Sequence, residues 1–412
     1  MRSFCFVNLS CYRRQEEIAA VRRFLFFNEY VELGDLARVD LVVLFTCAFC
    51  QSKVADMLSE VRRIRAAIGP DCRLVVGSCL PATDGDGLRS LFDGMTVTPT
   101  DFRALDALPG IKVPFAEVPK RPEDEISCAP LGSKAPLWMP RGRLGEAVAA
   151  TARCLMRAWP GLRLERMATR INPDKRMGVF ISAGCRRNCA YCAIRFATGA
   201  LRSKPLEVVA RIFEEGLGQG YRRFEIYADS IGDYGLDRGT DLGTLFDWLL
   251  GHPRPFSVGI YDLHPQAFLK FYDRIRALCA GGRVHYLYVP LQSGNDRILS
   301  LMRRPCDLAS LKEKLLAIRR MGGVFLQTSI IVGFPTETRQ EFEDTVAFLE
   351  VVRFSDVYVH FYSDMPNTES SRMPGKIGKE IMLERMSRLG RTRIHHHRGS
   401  TRHEWENIPS SN

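Results

Sequence analysis

The sequence lacks any long hydrophobic run. Among its 412 residues, the longest apolar run extends from Leu41 to Cys50, far short of the roughly 18 residues that a membrane helix needs. The N-terminus also lacks a basic segment followed by an apolar one, which is the pattern of a secretory signal. We therefore expect a cytoplasmic protein that does not contact a membrane.

The sequence also lacks the features of a disulfide-stabilised protein. Its 13 cysteines are an odd number, and its 46% hydrophobic content suits a globular chain large enough for two or three domains. We expect the thiols to be reduced and to serve in metal binding or catalysis. No Ser-His-Asp or paired-carboxylate motif is evident, so ordinary acid–base catalysis is not indicated.

Positive charge exceeds negative charge along the chain. The formal net charge is +11 and the pI is about 9.1, which predicts a polyanionic partner. From Arg385 to His403 there are six Arg, four His and no acid, and a second basic stretch extends from Arg141 to Arg176. Each stretch is either solvated surface or part of a nucleic-acid interface.

Three predicted strands in the first hundred residues each end at a cysteine. The strands SFCFVNLSC, DLVVLFTC and CRLVVGSC lead to Cys11, Cys47 and Cys79, and helical patterns separate them. The carboxyl ends of parallel strands meet at one edge of a sheet, so these distant thiols can converge there. The alternative is a small buried side chain at each position, and Cys50 could replace one of the three as a ligand.

Strand-helix units resume after a proline-rich segment that carries one basic helical stretch, from about Gly145 to Ala158. Six further strands are predicted: MGVFISA, RFEIYA, FSVGIYD, VHYLYVP, VFLQTSIIVGF and SDVYVHFY. The pattern predicts an α/β protein with an N-terminal open parallel-sheet domain and a partial (β/α)6 barrel. The expected segments are the sheet domain at 1–115, a linker at 116–174, the partial barrel at 175–388 and a basic, disordered tail at 389–412.

The loop after the first barrel strand contains Cys185, Cys189 and Cys192 in a Cys-x3-Cys-x2-Cys spacing, without a fourth cysteine or a histidine nearby. A structural zinc site needs four protein ligands. A four-iron cluster held by three thiolates has one open iron, where a substrate or cofactor can bind. The spacing therefore favours a catalytic iron-sulfur cluster.

This loop, with its aromatic Tyr191, resembles the signature of radical S-adenosylmethionine enzymes. The blocks GCRRNCAYCAIRFATGALRSKP, IYADSIGDYGLD, VPLQSGNDRILSLMRR, TSIIVGFPTETRQEFEDT and HFYSDMPNTES are similar, in order, to those of the methylthiotransferases. The cysteines of NLSC, LFTC and VGSC are also similar to that family. The resemblance extends from about Arg2 to Arg388.

The resemblance implies two [4Fe-4S] clusters. Cys185, Cys189 and Cys192 would hold one, whose open iron chelates S-adenosylmethionine. Reductive cleavage of that cofactor yields a 5'-deoxyadenosyl radical, which removes hydrogen from an unactivated C–H bond. Cys11, Cys47 and Cys79 would hold a second cluster that holds or donates sulfur. A low-potential electron donor and a sulfur donor are implied as partners.

Four other residues are candidate cofactor ligands. By the resemblance, Tyr191 lies near the adenine, although an ordinary loop aromatic is the alternative. Asp229 and Ser230 end the second barrel strand and either meet the cofactor or cap a helix. Gly333, in IVGFP, lies where a backbone can approach the cofactor closely.

The sequence departs from the family after Arg388, where no C-terminal β-barrel substrate domain is predicted. Family members modify a tRNA adenosine or an aspartate of a ribosomal protein. The segment MPNTES, which follows the sixth barrel strand where substrate contacts are expected, differs from the usual family pattern. The frequency of tRNA substrates in the family, together with the positive charge, favours a tRNA adenosine, with a protein or peptide side chain as the alternative. Other possibilities are a radical enzyme without sulfur transfer, an electron carrier and a zinc-dependent RNA-binding module.

Overall fold

The structure is a computed structural model that describes residues 2–119, 176–392 and 396–398. The predicted linker helix at Gly145–Ala158 and most of the basic tail lie outside these residues. The domain boundaries stay predictions. All cysteines in the described residues are free thiols. No helix in the same residues is long and apolar enough to cross a bilayer.

The N-terminal domain is a parallel sheet flanked by helices. Its strands are β1 (Ser3–Asn8), β2 (Val31–Glu32), β3 (Leu41–Thr46), β4 (Arg73–Ser78) and β5 (Met95–Thr96), and its helices are α1 (Gln15–Phe27), α2 (Gln51–Ala67), α3 (Cys79–Thr83) and α4 (Gly85–Arg89). The strand order is β2-β1-β3-β4-β5, with every pair parallel. Every residue of the central strand β3 is buried, which explains its unbroken apolar sequence.

The second domain is an open, partial barrel of alternating strands and helices. Its strands are β6 (Arg176–Ala183), β7 (Arg202–Ser203), β8 (Arg223–Ala228), β9 (Ser257–Ile260), β10 (Val284–Tyr288), β11 (Phe325–Val332), β12 (Asp356–Phe361) and β13 (His396–Arg398). Its helices are α5 (Arg195–Thr198), α6 (Leu206–Gly218), α7 (Leu242–Gly251), α8 (Pro265–Lys270), α9 (Tyr272–Ala280), α10 (Asp296–Leu301), α11 (Leu308–Met321), α12 (Arg339–Val352) and α13 (Lys379–Gly390). One apolar core lies between the strands and the outer helices.

The predicted α/β class and the six barrel strands are confirmed, and the sheet has two additional edge strands. The order is β13-β12-β11-β10-β9-β8-β6-β7, in which only the β6–β7 pair is antiparallel. Both β7 and β13 are too short to show a hydrophobic period. Strand β13 lies within the segment expected to be a disordered tail. In the residues described after β12, a helix and this strand occur, but a second sheet does not.

A buried ion pair attaches the last helix to the barrel. The guanidinium of Arg385 on α13 donates to the carboxylate of Glu337, and their side chains are 7% and 1% exposed. A second guanidinium nitrogen of Arg385 donates to the Glu337 carbonyl at 2.7 Å. Burial raises the pKa of Glu337 to about 7, although the nearby Arg385 opposes this shift. One arginine of the basic C-terminal stretch is therefore part of the folded core.

Replacing Arg385 by Leu should leave the Glu337 carboxylate buried without its partner. We expect the free energy of unfolding to fall by about 3–5 kcal/mol at pH 8. The loss should be smaller at pH 6, because an acid whose folded pKa is raised to about 7 takes up a proton there. Urea unfolding at both pH values measures the difference.

Arg388→Leu on the same helix is the matched control. Arg388 pairs with Glu343 through side chains that are 38% and 30% exposed, so its loss should cost less than about 1 kcal/mol. Equal costs for the two variants would contradict the assigned role of the buried pair.

Candidate functional site

The ends of β1, β3 and β4 bring Cys11, Cys47 and Cys79 together, as their spacing predicts. We call these three residues the N-terminal trio. The thiol of Cys79 interacts electrostatically with those of Cys11 and Cys47, and Cys47 interacts with Cys11. Cys50 begins α2 instead, with its sulfur 3.3 Å from the Ser52 hydroxyl.

The backbone is strained beside several strand ends in both domains. Ser78, directly before Cys79, has a φ of 78°, and Gln292 and Thr336 in the barrel loops have φ values of 70° and 67°. Non-glycine residues rarely adopt this conformation, and where they do, the surrounding structure must stabilise it, often at a functional site. Strained residues therefore occur at the edge that carries the cysteines, as they also do at Glu29 and Arg353 before two strands.

The loop after β6 brings together Cys185, Cys189 and Cys192, which we call the barrel trio. Their thiols interact with one another electrostatically. The loop begins at Gly184, whose φ is 86° and where a Cβ would overlap the backbone of Ala200. Only glycine fits this position.

Each trio offers three free thiols as possible metal ligands. In residues 2–119, 176–392 and 396–398, no group of three or more His, Cys, Asp or Glu could hold a metal ion. Each trio is a neighbouring set of sulfurs, and sulfur is the ligand that iron-sulfur clusters prefer. The spacing and the donor atoms therefore fit a cluster of several irons at each trio.

Hydrogen-bond donors surround the sulfurs of both trios. The Arg187 amide donates to the Cys185 sulfur at 3.4 Å, and the Arg304 guanidinium donates to the Cys189 sulfur at 3.5 Å. The amide of Phe49 likewise donates to Cys47. Such donors stabilise a thiolate and would also stabilise sulfur bound to iron.

Burial raises the pKa of four of these thiols, those of Cys47, Cys79, Cys185 and Cys192. The pKa is about 11 for Cys185 and about 12 for Cys79, so both hold their protons at neutral pH. Binding iron would release those protons, because a metal binds the thiolate.

The N-terminal domain covers the mouth of the barrel, by which we mean the edge where the carboxyl ends of β6 and β8 to β12 lie. The Gln51 amide donates to the Ser363 hydroxyl, and the Gln51 side chain donates to the Asp364 carbonyl, both at 2.8 Å. Arg13 pairs with Asp262 after β9. Arg13 also interacts electrostatically with both Cys47 and Cys192, so the two trios lie near each other.

Arg14 forms a buried bridge between the domains. Its side chain is 2% exposed and donates to Asp229, which is 1% exposed, and to Glu17 at 2.6 Å. The other carboxylate oxygen of Asp229 accepts a hydrogen bond from the Gly184 amide at 2.9 Å. The bridge therefore joins the loop after Cys11 to the first residue of the barrel-trio loop.

Asp229 and Ser230 both support the barrel-trio loop. Both carboxylate oxygens of Asp229 are used within the protein, and the Ser230 hydroxyl donates to Asp233 at 2.8 Å. Asp233 in turn accepts from the Arg186 amide at 3.4 Å and lies 3.5 Å from the Arg187 guanidinium. These contacts orient the loop, whereas a direct cofactor contact by Asp229 or Ser230 stays a prediction.

Gly333 and Tyr191 lie at the same mouth. Gly333 has a φ of 86° and a Cβ there would overlap Met382, while its amide donates to Glu337 at 2.9 Å. Tyr191 packs against an apolar cluster that includes Phe334. Tyr191 lies beside Cys189 and Cys192, and the cofactor contacts of both residues stay predictions.

No pattern in the sequence points to Arg14 and Arg304 as parts of the site. Both are buried arginines, 2% and 7% exposed, beside the N-terminal and the barrel trio respectively. Arg14 follows Cys11 by three residues, but its partner Asp229 lies more than two hundred residues away. The structure alone identifies these contacts.

We expect Arg14→Gln to destabilise the folded protein by about 3–5 kcal/mol, because Asp229 would remain buried without a cation. Arg14→Lys should lose less, since an ammonium keeps the charge but cannot hold Asp229 and Glu17 together. Urea unfolding of the iron-free protein measures the loss in both variants.

Arg13→Gln is the control, because the side chains of Arg13 and its partner Asp262 are 23% and 22% exposed. This ion pair should contribute about 1 kcal/mol or less. Equal effects for Arg13→Gln and Arg14→Gln would contradict the bridge.

Comparisons with known proteins agree with this geometry. Residues 179–349 match the family model of the Radical SAM superfamily. The chain is 27% identical over 390 residues to the ribosomal protein uS12 methylthiotransferase RimO of Protochlamydia amoebophila, covering 93% of this chain and 74% of that protein. It is 33% identical over 216 residues to the threonylcarbamoyladenosine tRNA methylthiotransferase MtaB of Thermotoga maritima, covering 51% of this chain and 48% of that protein.

A solved structure supports the fold. The radical S-adenosylmethionine methyltransferase TsrM from Kitasatospora setae, with cobalamin and a [4Fe-4S] cluster bound, aligns with a TM-score of 0.56 at 13% identity. The alignment covers 90% of this chain and 77% of that one. Taken together, the matched Radical SAM segment and the relatives support an enzyme of the radical S-adenosylmethionine methylthiotransferase type.

Proposed function

We propose that the enzyme replaces a hydrogen on an unactivated carbon by a methylthio group, using a [4Fe-4S] cluster at each cysteine trio. The observation that carries this proposal is the grouping of Cys11, Cys47 and Cys79 over the mouth of the barrel. A second set of three thiols facing the first is more than S-adenosylmethionine cleavage requires. It suits a site that supplies sulfur to a carbon activated at the first site.

The barrel trio would hold the cluster that binds S-adenosylmethionine. Bound there, the cluster and cofactor supply the radical that removes the substrate hydrogen. Cys185, Cys189 and Cys192 would supply three ligands to a four-iron cluster, which would leave one iron for the cofactor. The residues of the chain orient the site: Arg304 donates to Cys189, and Asp229 fixes the amide that precedes Cys185.

The N-terminal domain would exclude water from the space between the trios. Its loops reach the ends of β8, β9 and β12 through ion pairs and hydrogen bonds. An enclosed site protects a reactive radical from side reactions. Arg14 adds a fixed positive charge beside Cys11 and Cys79, which offsets the negative charge of thiolates there.

As substrate we favour a tRNA adenosine. The net charge of +11 suits an RNA backbone, and several relatives are named for tRNA modification. A protein or peptide side chain is the alternative, because another relative is named for ribosomal protein uS12. The cytoplasm is the expected compartment, with an electron donor and a sulfur donor as partners.

Iron and sulfide counts after anaerobic reconstitution test the two clusters. We expect about eight irons in the intact chain and about four in the Cys11→Ala/Cys47→Ala/Cys79→Ala variant, since each cluster holds four. The control is Cys5→Ala/Cys50→Ala/Cys72→Ala, which removes three other thiols of the same domain and should keep about eight. Four irons in the intact chain would reduce the proposal to a single-cluster radical enzyme, and a loss in the control would implicate Cys50.

Product analysis separates the two activities. Under reduction, the variant lacking the N-terminal trio should still convert S-adenosylmethionine to 5'-deoxyadenosine but should form no methylthio product. Cys185→Ala should do neither, because the first cluster needs all three thiolates. Mass spectrometry of unmodified tRNA and of an aspartate-containing peptide identifies the substrate. Cofactor cleavage by the intact chain without methylthiolation of either would support the alternative of a radical enzyme without sulfur transfer.

A further inference from the structure

A row of aromatic side chains crosses the mouth of the barrel. The aromatic row consists of Tyr191, Tyr288, Tyr358, His360 and Phe49. The ring centroids of Tyr288 and Tyr358 are 6.1 Å apart, those of Tyr358 and His360 are 6.3 Å apart, and those of His360 and Phe49 are 5.4 Å apart. The phenols of Tyr191 and Tyr288 interact electrostatically. Ring contacts therefore connect Tyr288 to Phe49 of the N-terminal domain, and Tyr191 lies near the Tyr288 end.

The two ends of the aromatic row are joined to the two cysteine trios. Tyr191 directly precedes Cys192. Phe49 follows Cys47 by two residues, and its amide donates to the Cys47 sulfur. A substrate that meets both proposed clusters must therefore lie beside this row.

The orientation of the rings is fixed by neighbouring contacts. The Tyr288 hydroxyl donates to the Ser329 hydroxyl at 2.8 Å. His360 is stacked on Tyr358 with 22° between the planes, and Phe49 meets His360 at 65°. Phe49 is nevertheless 53% exposed, although a core position would bury an aromatic ring. A fixed and exposed ring is suited to stack against a planar ligand.

We propose that the aromatic row is the substrate-binding wall and that Phe49 stacks on a nucleobase of a single-stranded RNA segment. This inference rests on the proposed function, because it takes the space between the trios as the substrate site. Aromatic side chains bind unpaired bases by stacking, which every base permits. An aspartate side chain offers no comparable planar ring, so a wall of this composition favours a base over a carboxylate.

Binding of two matched RNA probes tests the proposal. One probe is a short single-stranded RNA with a central adenine, and the other is the same RNA with an abasic site there. Fluorescence anisotropy with the anaerobically reconstituted full chain measures both dissociation constants. Phe49→Leu should weaken binding of the adenine probe about tenfold, the effect of losing one stacked base, and should leave the abasic probe nearly unchanged. Phe49→Trp should retain the affinity.

Phe325→Leu is the matched control. Phe325 is 46% exposed and stacks on Tyr286 with 6.0 Å between ring centroids, but it lies at the amino end of β11, opposite the cysteines. This variant should bind both probes as the unaltered chain does. All proteins are compared at equal iron content.

The proposal is overturned if Phe49→Leu binds both probes as the unaltered chain does, or weakens both equally. Phe49-dependent binding of an aspartate-containing peptide in place of the RNA would overturn it as well. These results are distinct from failure of the proposed function. Base-dependent binding without any methylthio product would support the stacking role of Phe49 and contradict the proposed reaction. Methylthiolation of RNA that is insensitive to Phe49→Leu would support the reaction and contradict the stacking role.

Discussion

The buried guanidinium of Arg14 is the contact on which the arrangement of the two domains depends. It takes one carboxylate from its own domain and one from the barrel, and both partners lie away from water. A charge buried in this way is stable only while its partners remain in place. The bridge therefore penalises any movement that separates the two cysteine trios. Because Asp229 also binds the Gly184 amide, the same contact orients the loop of the barrel trio.

Parallel sheets explain why the chemistry lies at a single face. Both domains are built from parallel strands whose carboxyl ends carry the loops with cysteines. The domains meet face to face at those ends, so residues far apart in sequence share one small space. The core behind the sheets is apolar and tightly packed, which leaves the loops free to carry polar and strained residues. In each strand-helix unit, the buried strand and helix faces therefore provide stability, while the loop at the carboxyl end of the strand carries the polar and strained residues.

Much of this arrangement could be predicted from the sequence. The central strand β3 is evident because a buried parallel strand has a nearly continuous apolar sequence, and cysteines at strand ends predict their own convergence. The contacts of Asp229 could not be predicted in the same way, since a carboxylate at a strand end suits a ligand, a cap or an ion pair equally well. Its actual partner, Arg14, depends on how two domains dock, and that geometry leaves no local pattern. The aromatic row could not be predicted either, because its members come from four separate segments that only the fold brings together.

The contacts of Gln51 determine when the two domains can dock during synthesis of the chain. Its partners Ser363 and Asp364 lie 312 and 313 positions later in the chain. At ordinary elongation rates the ribosome therefore synthesises these partners roughly 15 to 60 seconds after Gln51. During that interval the first cysteines have emerged, but the surface that covers them has not been synthesised. Thiols in this state are open to oxidation and to the wrong metals. The contacts that hold the N-terminal domain over the barrel can therefore form only after β12 and the loop that follows it have been synthesised.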